Sequence, residues 1–270
     1  EILQRIATHC LVQVLWEVTP LDLLLKSHAQ MRVYMDTIDQ RTVDQIIECC
    51  DNHDFVFLQE VTPLLIKKFD KFEAYEIIYK STSDAYFYSA IAYKGSRDIS
   101  LGEWAGNDRF LFCSISHKYQ MYALGSIHAI SNSGQGAVES AHTLKEFAAD
   151  RGIERVVLAG DANTVKGDSR AQKDGTLVLG SKTFREKLQK AEVFSCVMPM
   201  WFEETQASVK SSLQPNGAKA GTMSMKACDF IATNCPDAGY RIIFDEEADL
   251  LPSKKHVSDH KIVSAELNWK

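Results

Sequence analysis

Apolar residues recur along this chain at two spacings, one typical of helices and the other of strands. The spacing i, i+3, i+4 and i+7 predicts one buried helical face at Val43, Ile46, Ile47 and Cys50. Thr62-Pro63 supplies a cap and a first helical position, so a second helix is expected over Leu64–Phe69. Helical composition marks two further segments, Ala137–Asp150 and Ser181–Lys190.

Strand-like segments alternate with these helices. Short apolar runs predict strands at Cys10–Val18, Asp54–Leu58 and Arg155–Leu158, the last ending at Ala159-Gly160. Aromatic and β-branched runs predict consecutive, antiparallel strands at Tyr75–Tyr79, Tyr86–Tyr93, Phe110–Ser116 and Tyr122–His128. Two more are expected at Ala227–Thr233 and Ile262–Leu267. This mixture favours an α/β sandwich over a doubly wound sheet.

Composition narrows the possible functions. The 270 residues are 45% hydrophobic and 24% charged, which is typical of a soluble globular protein. No internal repeat or linker-like tract divides the sequence, so residues 1–270 are expected to form a single domain. Because 36 acidic side chains outnumber 30 basic ones, a broadly basic nucleic-acid surface is excluded. Any polyanion would have to bind through a few local cations or a metal.

The seven cysteines have neither the density of a disulfide scaffold nor the spacing of a zinc motif, so reduced, partly buried thiols are expected. The most apolar stretch, Leu11–Leu25, is interrupted by Glu17, Pro20 and Asp22 and predicts no membrane span. The sequence contains no signal-peptide pattern. We expect an intracellular protein, cytoplasmic or nuclear.

Polar residues that can carry chemistry flank several strand-like runs, where strand ends converge at the rim of a sheet. They are Glu60, His128, Asp161, Asn163, Asp259 and His260. Each alone is more often a turn former or helix cap. On an extended chain Asp161 and Asn163 would project to the same side and hold a water and a phosphate oxygen together. An Asx-turn explains the same pair equally well.

Five short strings occur in a single order: LQEV at 58–61, GSIH at 125–128, GDAN at 160–163, CDFI at 228–231 and SDH at 258–260. Together they resemble the endonuclease/exonuclease/phosphatase superfamily. The segment LQEVTP, with Arg109 shortly before SIH, is most similar to the branch of 5′-tyrosyl-DNA phosphodiesterases. The resemblance implies a four-layer sandwich of two mixed β-sheets flanked by helices, a divalent metal at the rim and phosphoester hydrolysis.

The resemblance also implies roles for the acids. Glu60 looks like the metal-binding carboxylate, and Asp259 resembles the acid that joins it directly or through water. The implied ion is Mg²⁺, with Mn²⁺ as the alternative, because such ions are held by one or two carboxylates with water and phosphate. Asp161 matches the residue that orients or deprotonates the attacking water, and Asn163 matches the amide that steadies the phosphate.

Two histidines complete the implied site. His260 resembles the imidazole that faces the scissile phosphate, with Asp229 of CDFI as its carboxylate partner. His128 matches the second histidine, which would donate to a phosphoryl oxygen. Independently of any family, in-line attack on a phosphodiester requires a metal, hydrogen-bond donors and one positioned base, and these residue types supply them.

One position departs from the family pattern. The string VLWEV places Glu17 where the family usually has an asparagine after tryptophan. A carboxylate accepts hydrogen bonds but donates none, so it would repel a phosphate unless a metal or proton intervened. Glu17 is therefore an additional metal ligand, a side chain turned away by a register shift, or a sign of weakened catalysis.

The expected activity is Mg²⁺-dependent cleavage of a phosphoester at or near a DNA end, with a 5′-tyrosyl-DNA adduct as the preferred substrate. Arg109 is a candidate for phosphate contact and Trp201 for stacking on a base, although surface charge and core packing are the ordinary roles of such residues. RNA, a nucleotide or a phosphoinositide is the alternative substrate. A weakened family member that serves as a binding module is the alternative function.

Overall fold

The computed structural model describes residues 40–48, 53–69, 75–81, 87–95, 98–130, 135–165, 167–171, 177–190, 194–198, 206–209, 223–243, 260 and 262–269. Helix α1 covers 40–48, and the other described helices are α2 (Pro63–Phe69), α3 (Gln135–Ala149) and α4 (Ser181–Lys190). These positions confirm the predicted helices. The strand predicted at Cys10–Val18 lies outside the described residues.

Fifteen strands lie in the described part of the chain. They are β1 (Phe55–Val61), β2 (Tyr75–Tyr79), β3 (Tyr88–Lys94), β4 (Ile99–Gly106), β5 (Phe110–His117), β6 (Gln120–His128), β7 (Arg155–Asp161), β8 (Arg170–Ala171), β9 (Leu177–Val178), β10 (Cys196–Met198), β11 (Gln206–Val209), β12 (Met223–Lys226), β13 (Asp229–Thr233), β14 (Ala238–Ile243) and β15 (Ile262–Leu267). Short pairs β8–β9 and β11–β12 stand apart from the main sheets.

The first sheet has the order β1-β3-β2, and its described pairs are antiparallel. Helices α1 and α2 cover its outer face, where Val43, Ile66 and Phe69 pack against the sheet. Helix α2 begins as predicted, because the Leu65 N–H donates to the Thr62 side-chain oxygen at 3.1 Å. This cap fixes the turn that leads away from the end of β1.

The second sheet has the order β10-β13-β7-β6-β5-β4. Strands β6 and β7 run parallel, joined by the crossover helix α3, and the other neighbours are antiparallel. Helices α3 and α4 cover its outer face through Leu144, Phe184 and Leu188. The parallel pair brings the carboxyl ends of β6 and β7 to one edge.

The inner faces of the two sheets share a core that contains Ile91 from β3 and Leu111, Leu124 and Val157 from the second sheet. The antiparallel pair β14–β15 contributes partly buried side chains to the same core. Helices, sheet, sheet and helices thus form four layers, which confirms the predicted sandwich. Among the pairs of strands named above only β6–β7 is parallel, so the mixed sheet is the six-stranded one.

Several strand predictions differ from the structure. Strand β7 does not end at Ala159-Gly160 but continues through Asp161, so this acid belongs to the sheet itself. Strand β4, an edge strand whose side chains are mostly exposed, was not predicted, and neither were β8 to β12 and β14. None of the helices in the described ranges combines the length and the apolar character that a bilayer crossing requires.

Candidate active site at the rim of the sandwich

The centre of the candidate site is a pair of carboxylates at the edge of the second sheet. Asp161 ends β7 and Asp229 begins β13, and the two residues are direct partners in the antiparallel register. Gly160 makes this arrangement possible, because its φ is +146° and a Cβ there would lie 1.9 Å from the Ile127 carbonyl oxygen. Strand β7 can therefore stay beside β6 up to Asp161.

The Asp229 carboxylate holds the imidazole of His260. His260 Nδ1 lies 3.0 Å from Asp229 Oδ1 and 2.9 Å from Oδ2, which brings together residues from β13 and from just before β15. Both side chains are largely buried, with 26% of His260 and 13% of Asp229 exposed. The structure thus forms the pair that the resemblance implied, although Asp229 and His260 are far apart in sequence.

Asp161 and Asn163 interact through the main chain. The Asn163 N–H donates to Asp161 Oδ1 at 2.6 Å, and Asn163 has a φ of +51°. The chain therefore turns after Asp161. The prediction of an extended chain, with the side chains of Asp161 and Asn163 on the same side, is wrong. The Asx-turn forms, and the Asn163 amide donates to the Ala129 carbonyl at 2.7 Å. Asn163 is buried beside the site, and it fixes the orientation of Asp161.

Burial dominates the electrostatics of Asp161, which is only 7% exposed. Loss of solvent raises the pKa of its carboxyl group above the usual range, and the neighbouring carboxylate of Asp229 raises it further. His260, the N–H of Asn163 and His128 act in the opposite direction. A proton or a cation is therefore more strongly attracted to Asp161 than to an ordinary surface aspartate.

His128 connects the two sheets at this rim. It pairs with Asp161 in the parallel register, and its Nε2 lies 3.9 Å from Asp161 Oδ2 and 3.5 Å from Glu60 Oε1. Glu60 belongs to the first sheet and its side chain is 61% exposed. An irregularity between Leu58 and Val61 gives Glu60 a φ of +55°, which aims the residue out of the regular ladder. Such strain at a rim is typical of functional sites.

A buried hydroxyl group aligns the two sheets next to this contact. Ser126 of β6 is fully buried, and its Oγ donates to the Leu58 carbonyl of β1 at 3.2 Å. The Gln59 side-chain amide donates to the same Oγ at 3.2 Å. The two residues that precede Glu60 in sequence are thereby attached to the strand that carries His128.

Arg109 lies beside His128. Its carbonyl oxygen accepts a hydrogen bond from the His128 N–H at 2.8 Å and another from the Ser89 hydroxyl at 2.8 Å. The Arg109 side chain is exposed. Arg109 is thus close to the rim and open to solvent, a placement compatible with the predicted phosphate contact.

The remaining predicted site residues, Glu17, Asp259 and Trp201, lie outside the described residues. Cys228 was missed as a site residue. One ligand atom from each of Asp161, Cys228, Asp229 and His260 lies within 4.8 Å of the others. The available sequence signal was its position directly before Asp229 in the string CDFI.

The donor set is compatible with a divalent cation. Glu60, Asp161 and Asp229 bring three carboxylates to one rim, and carboxylate oxygens are the protein ligands that Mg²⁺ prefers. Asp161 and Asp229 repel each other in a buried setting, and a nearby positive charge would relieve that repulsion. His128 and His260 can supply part of this charge when they are protonated.

Each of the five sequence strings thus contributes one residue to this rim, namely Glu60, His128, Asp161, Asp229 and His260. No protein-family model and no curated protein sequence matches the chain. Solved structures do match it. An endonuclease/exonuclease/phosphatase family protein from Bacteroides thetaiotaomicron is 16% identical with a TM-score of 0.59, over 88% of this chain and 92% of that one.

Two further solved structures are similar. The endonuclease domain of TRAS1, a telomere-specific non-LTR retrotransposon, is 14% identical with a TM-score of 0.58, over 86% of this chain and 95% of that one. TDP2 from D. rerio, complexed with a single-strand DNA product, is 16% identical with a TM-score of 0.52, over 83% of this chain and 90% of that one. These likenesses show that the chain has the endonuclease/exonuclease/phosphatase fold, which confirms the resemblance at the level of fold.

Proposed function

We propose that this protein is a divalent-metal-dependent phosphodiesterase that hydrolyses a phosphoester at or near a DNA end. The observation that carries the proposal is the convergence of Glu60, His128, Asp161, Asp229 and His260 on one rim. These residues come from both sheets and from distant parts of the sequence. A structural role alone would not require two histidines and three carboxylates at the same edge.

The metal would be held by Glu60 together with Asp259, as the family resemblance implies, with Glu17 as an additional ligand. Mg²⁺, or Mn²⁺ in its place, would supply charge neutralisation for the phosphate when bound. In this assignment Glu60 would hold the metal from the first sheet, and Asp161 and His260 would act on the substrate.

Asp161 is the proposed base that orients and deprotonates the attacking water. Its raised pKa makes it a stronger base than an ordinary aspartate, and the Asn163 N–H holds one of its oxygens in a fixed direction. Oδ2 is directed toward His128 at 3.9 Å and is the oxygen assigned to the water. The predicted contact of the Asn163 amide with phosphate remains part of the proposal, through the N–H that does not bond Ala129.

His260 and His128 are the proposed donors to the phosphoryl oxygens. Asp229 accepts from His260 Nδ1, which orients the ring and leaves Nε2 to face the substrate. His128 reaches the same region from β6. Negative charge that develops on the phosphoryl oxygens is stabilised by such preorganised donors.

The preferred substrate is a 5′-tyrosyl-DNA adduct, with Arg109 contacting phosphate and Trp201 stacking on a base. Two observations support this substrate: the LQEVTP segment, and the fold shared with a TDP2 that was crystallised with a DNA product. The same chemistry on RNA, a nucleotide or a phosphoinositide is the alternative. An intracellular location, cytoplasmic or nuclear, belongs to this proposal because DNA ends are found there.

The test compares a 5′-tyrosyl oligonucleotide with an abasic duplex and an inositol phosphate, each in Mg²⁺ and then in chelator. Turnover that requires the metal and prefers the tyrosyl substrate supports the proposal. Equal or reversed preference removes the DNA-end substrate, and absence of metal-dependent turnover on any of them removes the enzyme.

Glu17 motivates the second candidate function, a weakened family member that serves as a binding module. Glu17→Asn restores the usual family residue and separates the alternatives. A large gain in rate supports impaired catalysis in the natural sequence, whereas a loss of rate supports a metal ligand at this position.

A further inference from the structure

The Cys228 thiol is placed at the candidate site although the proposed hydrolysis has no role for it. Cys228 is 1% exposed and directly precedes β13. Its carbonyl oxygen accepts a hydrogen bond from the Ala162 N–H at 2.8 Å, which ties Cys228 to the residue after Asp161. The backbone therefore holds this thiol at the edge where Asp161 and Asp229 meet.

Asp229 is the common partner of the thiol and the imidazole. Its Oδ2 lies 3.6 Å from Cys228 Sγ and 2.9 Å from His260 Nδ1. One ligand atom from each of these three residues and from Asp161 fits within 4.8 Å of the others. We propose that Asp161, Cys228, Asp229 and His260 form a zinc site whose occupancy switches off the phosphoesterase centre.

The spacing suits tetrahedral zinc. Bonds of about 2.0–2.3 Å place the ligand atoms of a tetrahedral site roughly 3.3–3.8 Å apart. The Cys228–Asp229 contact already has this separation, and the other separations, all within 4.8 Å, need to change by up to about 1.5 Å. A cation at the centre would replace the protons that now lie between the carboxylate, the thiol and the imidazole, and the thiol proton would leave to solvent.

The donor chemistry selects zinc over magnesium at this position. Mg²⁺ prefers oxygen ligands and retains water, whereas Zn²⁺ binds thiolate, imidazole and carboxylate together. Glu60, the proposed magnesium ligand, is not a member of the four-residue cluster. The two ions are therefore assigned to adjacent positions with different ligand chemistry.

Zinc at this site would occupy two groups that the proposed reaction uses. Asp161 could no longer accept a proton from water, and His260 Nδ1 could no longer donate to Asp229, which would remove the contact that orients the ring. This inhibitory consequence rests on the proposed phosphoesterase function, whereas zinc binding itself does not.

Zinc affinity is measured on the full chain by competition with a chromophoric chelator. Cys228→Ser should weaken binding by at least about tenfold, because loss of a direct ligand costs more than loss of an outer partner, which costs about 10–100-fold. The matched control is Cys235→Ser, an equally buried thiol beyond the opposite end of β13, and it should bind like the wild type. Unchanged affinity in Cys228→Ser would overturn the site.

Cobalt gives a direct readout of sulfur coordination. Co²⁺ added to the wild type and to Cys235→Ser should produce a thiolate-to-metal charge-transfer band, and Cys228→Ser and Cys228→Ala should lack it. Circular dichroism on the same samples identifies any variant that fails to fold. A wild type without the band, or a band that survives in both folded Cys228 variants, would contradict the proposal.

Inhibition is measured at saturating Mg²⁺ as the zinc concentration that halves each protein's own zinc-free rate. This concentration should rise at least about tenfold in Cys228→Ser and stay unchanged in Cys235→Ser. Equal sensitivity in both would overturn the switch. A wild type without hydrolysis would remove the proposed function, and the affinity and cobalt measurements would still decide the zinc site.

Discussion

Asp161 and Asp229 face each other across antiparallel strands β7 and β13, so two carboxylates share one edge of the second sheet. Each acid has a hydrogen-bonding partner: the Asn163 N–H donates to Asp161, and His260 Nδ1 contacts Asp229. The pair thus combines a buried carboxylate whose ionised form is destabilised with a carboxylate that is hydrogen-bonded to an imidazole.

Replacement of Asp161 by asparagine should lower kcat by about 10²–10⁴-fold, the usual contribution of a general base. It should also raise Tm at neutral pH in chelator. Because the pKa of Asp161 is raised on folding, the ionised carboxylate opposes folding at pH values above that pKa. The gain in Tm should shrink as the pH falls toward the ordinary pKa of an aspartic acid.

Thermal unfolding at neutral and at acidic pH checks this expectation, with the exposed Asp98→Asn as the control. Asp98→Asn should leave Tm nearly unchanged at both. A fall in the Tm of Asp161→Asn at neutral pH would mean that its carboxylate stabilises the fold.

Asp229 and His260 should act as one unit in catalysis. Asp229→Asn and His260→Gln should each lower kcat, and the double variant should be little slower than the slower single variant, because either change disrupts the same positioned imidazole. A double-variant cycle in kcat tests this. Multiplicative effects of the two substitutions would show that the residues work independently.

Glu60 is expected to lower the stability of the fold through its backbone strain and to support activation by the metal through its side chain. Glu60→Gly relieves the left-handed φ of +55° and should raise the free energy of unfolding by up to about 1 kcal/mol. Glu60→Gln keeps that strain. Both variants should raise the Mg²⁺ concentration needed for half-maximal activity, which a metal titration measures.

Ser100→Gly, at an exposed position in β4, is the control for glycine itself and should cost about 0.5–1 kcal/mol. Loss of stability in Glu60→Gly comparable to that in Ser100→Gly would refute stored strain at Glu60. An unchanged Mg²⁺ requirement in both Glu60 variants would remove Glu60 from the metal site.

Gly160→Ala should destabilise the protein by more than about 3 kcal/mol, because a Cβ would collide with the backbone of β6 and the φ of +146° is closed to alanine. Gly136→Ala in α3 is the matched control, since a Cβ there meets nothing within 4 Å. It should stabilise the helix by about 0.5–1 kcal/mol. Chemical denaturation compares the two, and similar values would argue against the close approach of β6 and β7.

The regular elements were predictable from sequence because their patterns are local. Helix α4 and strand β15 have the predicted bounds, and in α4 the buried Ser181, Phe184 and Leu188 recur at helical spacing. Strand β4 was missed because an exposed edge strand needs no apolar alternation. The end of β7 was placed too early because Gly160 was interpreted as a terminator, whereas it permits close strand packing.

The contacts of the site could be predicted only in part. The strings around Glu60, His128, Asp161 and His260 indicated which residues to consider, but not that Glu60 approaches from the opposite sheet. The Asx-turn of Asn163 depends on a positive φ that residue type alone does not determine. Cys228 was missed because its proximity to Asp161 arises from strand register, a relationship between distant segments.

The Ser126 hydroxyl has a consequence for how this protein would lose activity. Glu60 and Asp161 belong to different layers, so the distance between them changes if the layers slide past each other. The Ser126 hydroxyl forms hydrogen bonds that join these layers. A relative displacement of the layers by a few ångströms would separate the site residues, while each layer kept its own hydrogen bonds. Heat inactivation would then precede melting, and the gap between the two temperatures would report how strongly the layers are held together at this rim.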